Sequence, residues 1–157
     1  EQLIAQGDSA GGMLVGAVLA QRPDLFAAVV PTVAVLDVIG FARFTAGVRL
    51  KTVIGDPMVP EELPWLLSWS PYHNLHDGTC YPAVLIETAI NDDLVHPSQS
   101  YKFAARLQAA QGCDKPVLLS VADTGGHYGA TDLAERQRRW AYQLAFMAEM
   151  TGLRFSR

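Results

Sequence analysis

Short apolar segments alternate with longer amphipathic segments along most of the chain. The short segments span residues 2–6, 27–33, 82–88 and 116–122, and each is followed by turn-forming Gly, Asp, Asn or Pro. Apolar runs of this length that are rich in β-branched residues are typical of strands buried in a parallel sheet. Because such strands alternate here with helical segments, we predict βαβ units and an α/β fold.

The spacing of apolar residues predicts the helices. Residues 11–21 are small and apolar, which predicts a helix buried on the sheet. Around residues 103–110, apolar side chains recur at i, i+4 and i+7 and predict a second helix. A short helix at 61–69 is expected in an otherwise irregular stretch. The last helix is expected to bury one face that carries Leu133, Trp140, Leu144 and Met147.

Composition and charge exclude several function classes. The 157 residues are 50% apolar and 18% charged, which is typical of a folded domain and excludes disorder. Lys and Arg number 12 against 16 Asp and Glu, and no basic block is present, so we expect no nucleic-acid partner. The most apolar stretch, residues 26–41, is shorter than the roughly 18 residues of a membrane helix. We therefore expect no membrane partner.

Two cysteines, Cys80 and Cys113, have neither C-x-x-C spacing nor the density of a disulfide scaffold. We therefore expect both to be unpaired thiols, and a cytoplasmic location is favoured. Residues 1–6 contain no initiator Met and no signal segment. They have the character of an internal segment, so we expect the chain to be truncated at its N-terminus.

A candidate nucleophile lies between the first predicted strand and the first predicted helix. The sequence Gly7-Asp8-Ser9-Ala10-Gly11 matches G-x-S-x-G in the strand–turn–helix context of a nucleophile elbow. The turn is tight and strained, so we expect that a Cβ atom at Gly7 or Gly11 would collide with neighbouring backbone. The adjoining helix N-terminus favours developing negative charge beside Ser9.

A candidate acid and a candidate base follow in the order that α/β-hydrolases require. Asp92 and Asp93 come after the third predicted strand, and His127 comes after the fourth. Each therefore lies on a loop at the same sheet edge as Ser9, where open α/β sheets place their sites. The other histidines, at 73, 76 and 96, are interpreted as turn or surface residues, since none forms a helical pair of metal ligands.

These motifs resemble the prolyl oligopeptidase family of serine peptidases, in the C-terminal part of its α/β-hydrolase catalytic domain. The resemblance implies a peptidase that hydrolyses short peptides after proline through an acyl-enzyme, with no metal or organic cofactor. Ser9 would be the nucleophile, His127 the general base and Asp92 the acid, with the Ala10 N–H in the oxyanion hole. The resemblance to the family rests on residues 7–12, 21–26, 65, 70–74, 91–95, 101–103 and 125–127.

The resemblance also implies a binding pocket for the residue before the scissile bond. Trp65 matches an indole that stacks on the proline ring, which suits a flat, rigid pyrrolidine. Val35 and Val95 match apolar walls of the same pocket. Leu94 departs from the family, which usually has an arginine that binds a substrate carbonyl at this position.

Full members of the family also have an N-terminal β-propeller, the first hydrolase strands and a tyrosine that completes the oxyanion hole. The resemblance therefore implies that residues 1–157 are a partial catalytic domain and that the missing segments of the same protein are its partners. Two alternatives stay open. One is a carboxylesterase of the hormone-sensitive-lipase-like type, whose motif is similar around Ser9. The other is an inactive fragment that serves only in assembly.

Overall fold

Four parallel strands form a single sheet in the order β1-β2-β3-β4. The computed structural model describes residues 2–44 and 47–154. All four predicted strands are present, displaced by no more than a residue or two, and the predicted α/β class is confirmed. The strands are β1 (Ile4–Asp8), β2 (Ala28–Thr32), β3 (Ala83–Ala89) and β4 (Val117–Ala122).

Five helices and three short 3₁₀ turns connect and cover the strands within the described residues. The turns are Pro23–Leu25, Phe41–Arg43 and Tyr72–Asn74. The helices are α1 (Ala10–Gln21), α2 (Gly47–Ile54), α3 (Leu63–Trp69), α4 (Ser98–Ala110) and α5 (Leu133–Thr151).

The two faces of the sheet have separate apolar cores. On one face α1 and α4 pack on alternate strand residues that include Val29, Val84 and Ile86. On the other face Phe146 of α5 packs with Leu85 and its neighbours. This alternation is the two-residue period of strands that are covered on both faces.

The predicted buried face of α5 is wrong except at Met147, which packs against the core. Leu133, Trp140 and Leu144 are exposed, whereas Phe146 and the polar Gln143 are buried. The buried face is set by hydrogen bonds from Gln143 to the sheet as well as by apolar contacts. A polar residue therefore occupies a core position that an apolar pattern cannot identify.

The prediction of unpaired cysteines is also wrong, because Cys80 and Cys113 form a disulfide with a Cα–Cα distance of 5.1 Å. Their segments meet where Gly112 packs directly on the backbone of Gly78. Disulfides persist mainly in oxidising compartments. The disulfide is therefore not what a cytoplasmic location would favour, and that location stays a prediction.

Within residues 2–44 and 47–154, no helix combines the length and the apolar character that a bilayer crossing would need.

Candidate active site

Ser9 occupies a strained turn between β1 and α1. Its backbone dihedrals are φ 55° and ψ −116°, in a region that residues with a Cβ rarely adopt. The turn is held because the Ser9 N–H donates to the carbonyl oxygen of Thr32 at 2.9 Å. Strain of this kind persists only where surrounding contacts impose it, and it is common at functional sites.

Two crowded glycines permit this turn, and only one of them was predicted. A Cβ at Gly7 would lie 2.3 Å from the carbonyl oxygen of Gly11, as expected. A Cβ at Gly11 would meet nothing within 4 Å, so that part of the prediction is wrong. The second crowded position is Gly12, where a Cβ would lie 2.6 Å from the Cβ of Ala34. The first turn of α1 thus packs directly on the segment after β2.

The structure brings Ser9, His127 and Asp92 together from three loops at the carboxyl edge of the sheet. The distance from Ser9 Oγ to His127 Nε2 is 3.0 Å. His127 Nδ1 lies 2.9 Å from Asp92 Oδ2 and 3.1 Å from Asp92 Oδ1. This is the geometry in which a histidine can accept the serine proton while a carboxylate holds its other N–H.

The carboxylate of Asp92 is held by the backbone that follows it. Its Oδ1 accepts the N–H groups of Leu94 at 3.0 Å and Val95 at 2.8 Å. The Asp92 side chain is fully buried, whereas the neighbouring Asp93 is exposed. The geometry therefore selects Asp92 from the pair. These N–H donors have no signal in the sequence, because any residue except proline can supply them.

Two glycines shape the loop that carries His127. Gly125 has φ 76°, and a Cβ there would lie 2.5 Å from the carbonyl oxygen of Gly129. A Cβ at Gly126 would lie 3.1 Å from the carbonyl oxygen of Asn91, on the Asp92 loop. The loops that carry the acid and the histidine therefore pack closely, which keeps the two side chains within hydrogen-bond distance.

A cavity of 440 Å³ opens beside the serine and the histidine. Ala10 directly follows Ser9 and is the first residue of α1, and the first N–H groups of a helix have no partner within it. Besides Ser9 and His127, the cavity is lined by Gln6, Asp8, Thr32, Val33, Gly126, Tyr128, Gly129, Ala130, Arg136, Arg139, Trp140 and Gln143.

A second, small apolar cavity adjoins the Asp92 loop. Val35, Val95 and Leu94 all line it. Phe41 and Leu50 complete much of its apolar wall. Neither residue stands out in the sequence, because Phe41 ends a long apolar stretch and Leu50 lies where the apolar pattern fades.

Trp65 lies outside that cavity among the described residues. It is 56% exposed on α3 and meets the ring of Trp69 edge-on at 5.4 Å. The helix turns Leu66 into the core instead. The expectation that Trp65 shares a pocket with Val35 and Val95 is therefore not met within this chain.

The segment that carries Val35 is held by a buried carboxylate, Asp37. This side chain accepts the N–H groups of Ile39 and Gly40 and pairs with Lys102. Burial alone would raise the pKa of Asp37, but the Lys102 ammonium and the two N–H donors outweigh it and lower the pKa. The carboxylate therefore stays ionised and fixes an irregular segment that strand or helix hydrogen bonds do not hold.

Among the residues that the structure describes, no three His, Cys, Asp or Glu side chains are grouped so that they could hold a metal ion.

Comparison with known proteins identifies the family. The Prolyl oligopeptidase family matches residues 1–154. The chain is 41% identical over 128 residues to a prolyl endopeptidase of Elizabethkingia miricola, covering 81% of this chain and 18% of that protein. The chain belongs to the prolyl oligopeptidase family. The esterase and assembly-only alternatives receive no support from these matches.

Solved structures give the same family. A post-proline cleaving enzyme from Rickettsia typhi superposes with a TM-score of 0.92 at 33% identity, over 98% of this chain and 22% of that one. Oligopeptidase B from Leishmania major superposes with a TM-score of 0.88 at 28% identity, over 96% and 21%. The sheet and its helices thus have the α/β-hydrolase fold of these enzymes. The chain spans about a fifth of the length of the relatives that it matches.

Proposed function

We propose that this chain carries the catalytic triad of a serine peptidase that cleaves short peptides after proline. The observation that carries the proposal is the chain of hydrogen bonds from Ser9 through His127 to Asp92. The names of the relatives support the peptide substrate and the preference for proline. We further propose that residues 1–157 are part of a larger catalytic domain, whose other segments complete the active site.

The proposed reaction is acyl transfer. Ser9 Oγ attacks the scissile carbonyl carbon while its proton passes to His127 Nε2, and a tetrahedral oxyanion forms. The Ala10 N–H stabilises that oxyanion. Collapse breaks the C–N bond, and His127 returns the proton to the leaving amine. Water then attacks the acyl-enzyme by the same route and releases the peptide acid.

Asp92 supports both steps. Its carboxylate accepts the Nδ1–H of His127, which leaves Nε2 free to take the serine proton. Its negative charge also stabilises the imidazolium that forms. Because two backbone N–H groups already bind Oδ1, the carboxylate is oriented before substrate arrives.

The apolar cavity beside the Asp92 loop has a volume of about 10 Å³, which is too small for a proline ring, so we propose that it is one wall of a proline pocket that other segments of the catalytic domain complete. Val35, Val95, Phe41 and Leu50 give it walls that favour a compact apolar ring over a charged side chain. Leu94 adds apolar surface, and its side chain has no donor for a substrate carbonyl. We therefore propose that shape, more than hydrogen bonding, selects the residue before the scissile bond.

The triad is tested in the full-length polypeptide that contains this chain. Ser9→Ala should abolish labelling by a fluorophosphonate probe and hydrolysis of a chromogenic peptide with proline before the scissile bond, because loss of the nucleophile removes orders of magnitude of rate. The matched control is Ser68→Ala at an exposed serine of α3, which should keep both activities. Substantial hydrolysis by Ser9→Ala would exclude the assignment.

The pocket is tested separately. Val35→Phe should fill the apolar cavity and lower kcat/KM for the proline peptide while fluorophosphonate labelling continues. Val53→Phe is the matched control, because Val53 is 81% exposed on α2. Trp65→Ala should change hydrolysis of proline and alanine peptides equally. If Trp65→Ala lowered hydrolysis of the proline peptide selectively, the indole would be part of the pocket, and the proposed walls would be contradicted.

A further inference from the structure

A buried carboxyl group lies beneath the candidate active site and takes no part in the mechanism above. Glu87 of β3 is fully buried on the face of the sheet that α5 covers. Strand register places it in one row with Thr32 of β2 and Asp8 of β1, the residue before Ser9. Burial of a carboxyl group is costly unless other groups bind it, so its contacts indicate what it holds.

Gln143 of α5 connects this carboxyl group to β1. Its Nε2 donates to Glu87 Oε2, and its Oε1 accepts the Nε2–H of Gln6 at 3.0 Å. One side chain of α5 is thus bound to the strands on both sides of β2. We call Glu87, Gln143 and Gln6 the polar clamp.

The polar clamp joins the two segments that carry the serine and the histidine. β1 runs directly into Ser9, and α5 follows the loop that carries His127. Elsewhere in the described structure, α5 meets the sheet mainly through apolar side chains such as Phe146. Apolar contacts tolerate sliding, whereas hydrogen bonds are directional. The clamp therefore ties α5, the helix that follows the His127 loop, to β1.

Glu87 also borders the backbone that supports the nucleophile. Its carbonyl oxygen accepts the N–H of Val33 at 2.8 Å, next to Thr32, whose carbonyl oxygen accepts the N–H of Ser9. Val33 has φ 44°, which is strained for a β-branched residue. The side chains of Thr32 and Glu87 are therefore attached to the same short stretch of backbone that fixes the elbow.

A hydrogen bond between Glu87 and Thr32 would complete this arrangement. Among the described residues, Glu87 Oε1 and Thr32 Oγ1 are buried without a hydrogen-bond partner, and they belong to paired strand positions. Burial raises the pKa of Glu87, and the charge of Asp8 on β1 adds to this, whereas Gln143 and Arg139 of α5 and the nearby Thr32 hydroxyl oppose it. The neutral acid can donate to Thr32 while it accepts from Gln143.

We propose that Glu87 is a positioning residue for the Ser9–His127 pair, acting through Gln143 and Gln6. The inference rests on the proposed function only for the roles of Ser9 and His127. Loss of the Glu87 carboxyl group, which does not line the cavity, should slow the reaction of Ser9 without weakening the binding of a small reagent. A misplacement of about 1 Å can lower a rate by roughly 100-fold.

The experiment measures fluorophosphonate labelling of the full-length polypeptide over a range of probe concentrations, which separates the maximal labelling rate from the probe's binding constant. Glu87→Leu and Gln143→Met remove the hydrogen bonds, and Glu87→Gln keeps a neutral group that can donate and accept. Leu107→Ala is the control, because Leu107 is fully buried on the opposite face of the sheet. Thermal unfolding and circular dichroism verify that each variant is folded.

Glu87→Leu and Gln143→Met should each lower the maximal labelling rate by about 10- to 100-fold. The binding constant should stay unchanged in Glu87→Leu, because Glu87 does not line the cavity beside Ser9. Glu87→Gln should stay close to wild type. The double variant Glu87→Leu/Gln143→Met should be no slower than the slower single variant, because both remove one clamp. Should Glu87→Leu fail to fold, Gln143→Met carries the test alone.

Three results would overturn the proposal: wild-type rates in folded Gln143→Met, additive losses in the double variant, or an equal loss of rate in Leu107→Ala. If the wild-type polypeptide is labelled but does not cleave proline peptides, the proposed function is contradicted, whereas the positioning role of Glu87 is not. A wild-type polypeptide that is not labelled would overturn both.

Discussion

Asparagine at position 92 should almost abolish activity, whereas asparagine at position 93 should have little effect. The two aspartates are adjacent in sequence and nearly identical in chemistry, so they form a matched pair. The structure separates them completely, because the side chain of Asp92 is fully buried against His127 and that of Asp93 is exposed.

The size of the effect follows from the hydrogen bonds around Asp92. Its Oδ1 accepts two backbone N–H groups, so the oxygen of an asparagine amide would take that position and the NH₂ group would face His127. An NH₂ group cannot accept a proton, so His127 Nδ1 would have to accept instead. The proton of the imidazole would then lie on Nε2, facing Ser9 Oγ, and the base would be blocked.

A comparable substitution in an unrelated serine protease lowers kcat by about 10⁴-fold, or about 5.4 kcal/mol of transition-state stabilisation. We expect a loss of the same order for Asp92→Asn. The assay is kcat/KM for a proline-containing chromogenic peptide, measured on the full-length polypeptide together with fluorophosphonate labelling. Circular dichroism and thermal unfolding establish that both variants are folded. Asp92 is not the triad acid if Asp93→Asn is the severe variant, or if folded Asp92→Asn retains most of its activity.

Further predictions follow from the turn, the disulfide and the buried charges. Gly7→Ala should lower the thermal midpoint, because its Cβ would lie 2.3 Å from a carbonyl oxygen, whereas Gly11→Ala has open space and should not lower it. Ellman titration of the denatured, unreduced protein should find no free thiol, and Cys80→Ser/Cys113→Ser should lose about 3–4 kcal/mol of unfolding free energy for a crosslink that spans 33 residues. Since burial raises the pKa of Glu87, its contribution to stability should fall as pH rises from its ordinary 4.5 through the raised value, and Glu87→Gln should remove that slope in urea unfolding. The lowered pKa of Asp37 has the opposite sign, so its contribution should be lost as pH falls below 3.8, and Asp37→Asn should flatten the acid limb.

Local chemistry makes the order of elements and the candidate triad predictable from sequence. The strands are short apolar runs bounded by turn residues, and their parallel pairing follows from the helices between them. The elbow requires small residues around Ser9 whatever packs elsewhere. Because parallel strands present their carboxyl ends at one edge, Ser9, Asp92 and His127 are expected together before any distance is known.

Tertiary structure decided the features that depend on contacts between distant segments. Apolar spacing on α5 indicates Trp140 as a buried residue, but the polar clamp turns Gln143 inward instead. The approach of Gly112 to Gly78 pairs two cysteines whose spacing indicates nothing. Trp65 lies outside the apolar cavity because α3 turns Leu66 inward. In each case the free energy that stabilises the observed arrangement comes from contact with a residue far away in sequence. The local pattern of residues contains no information on that contact.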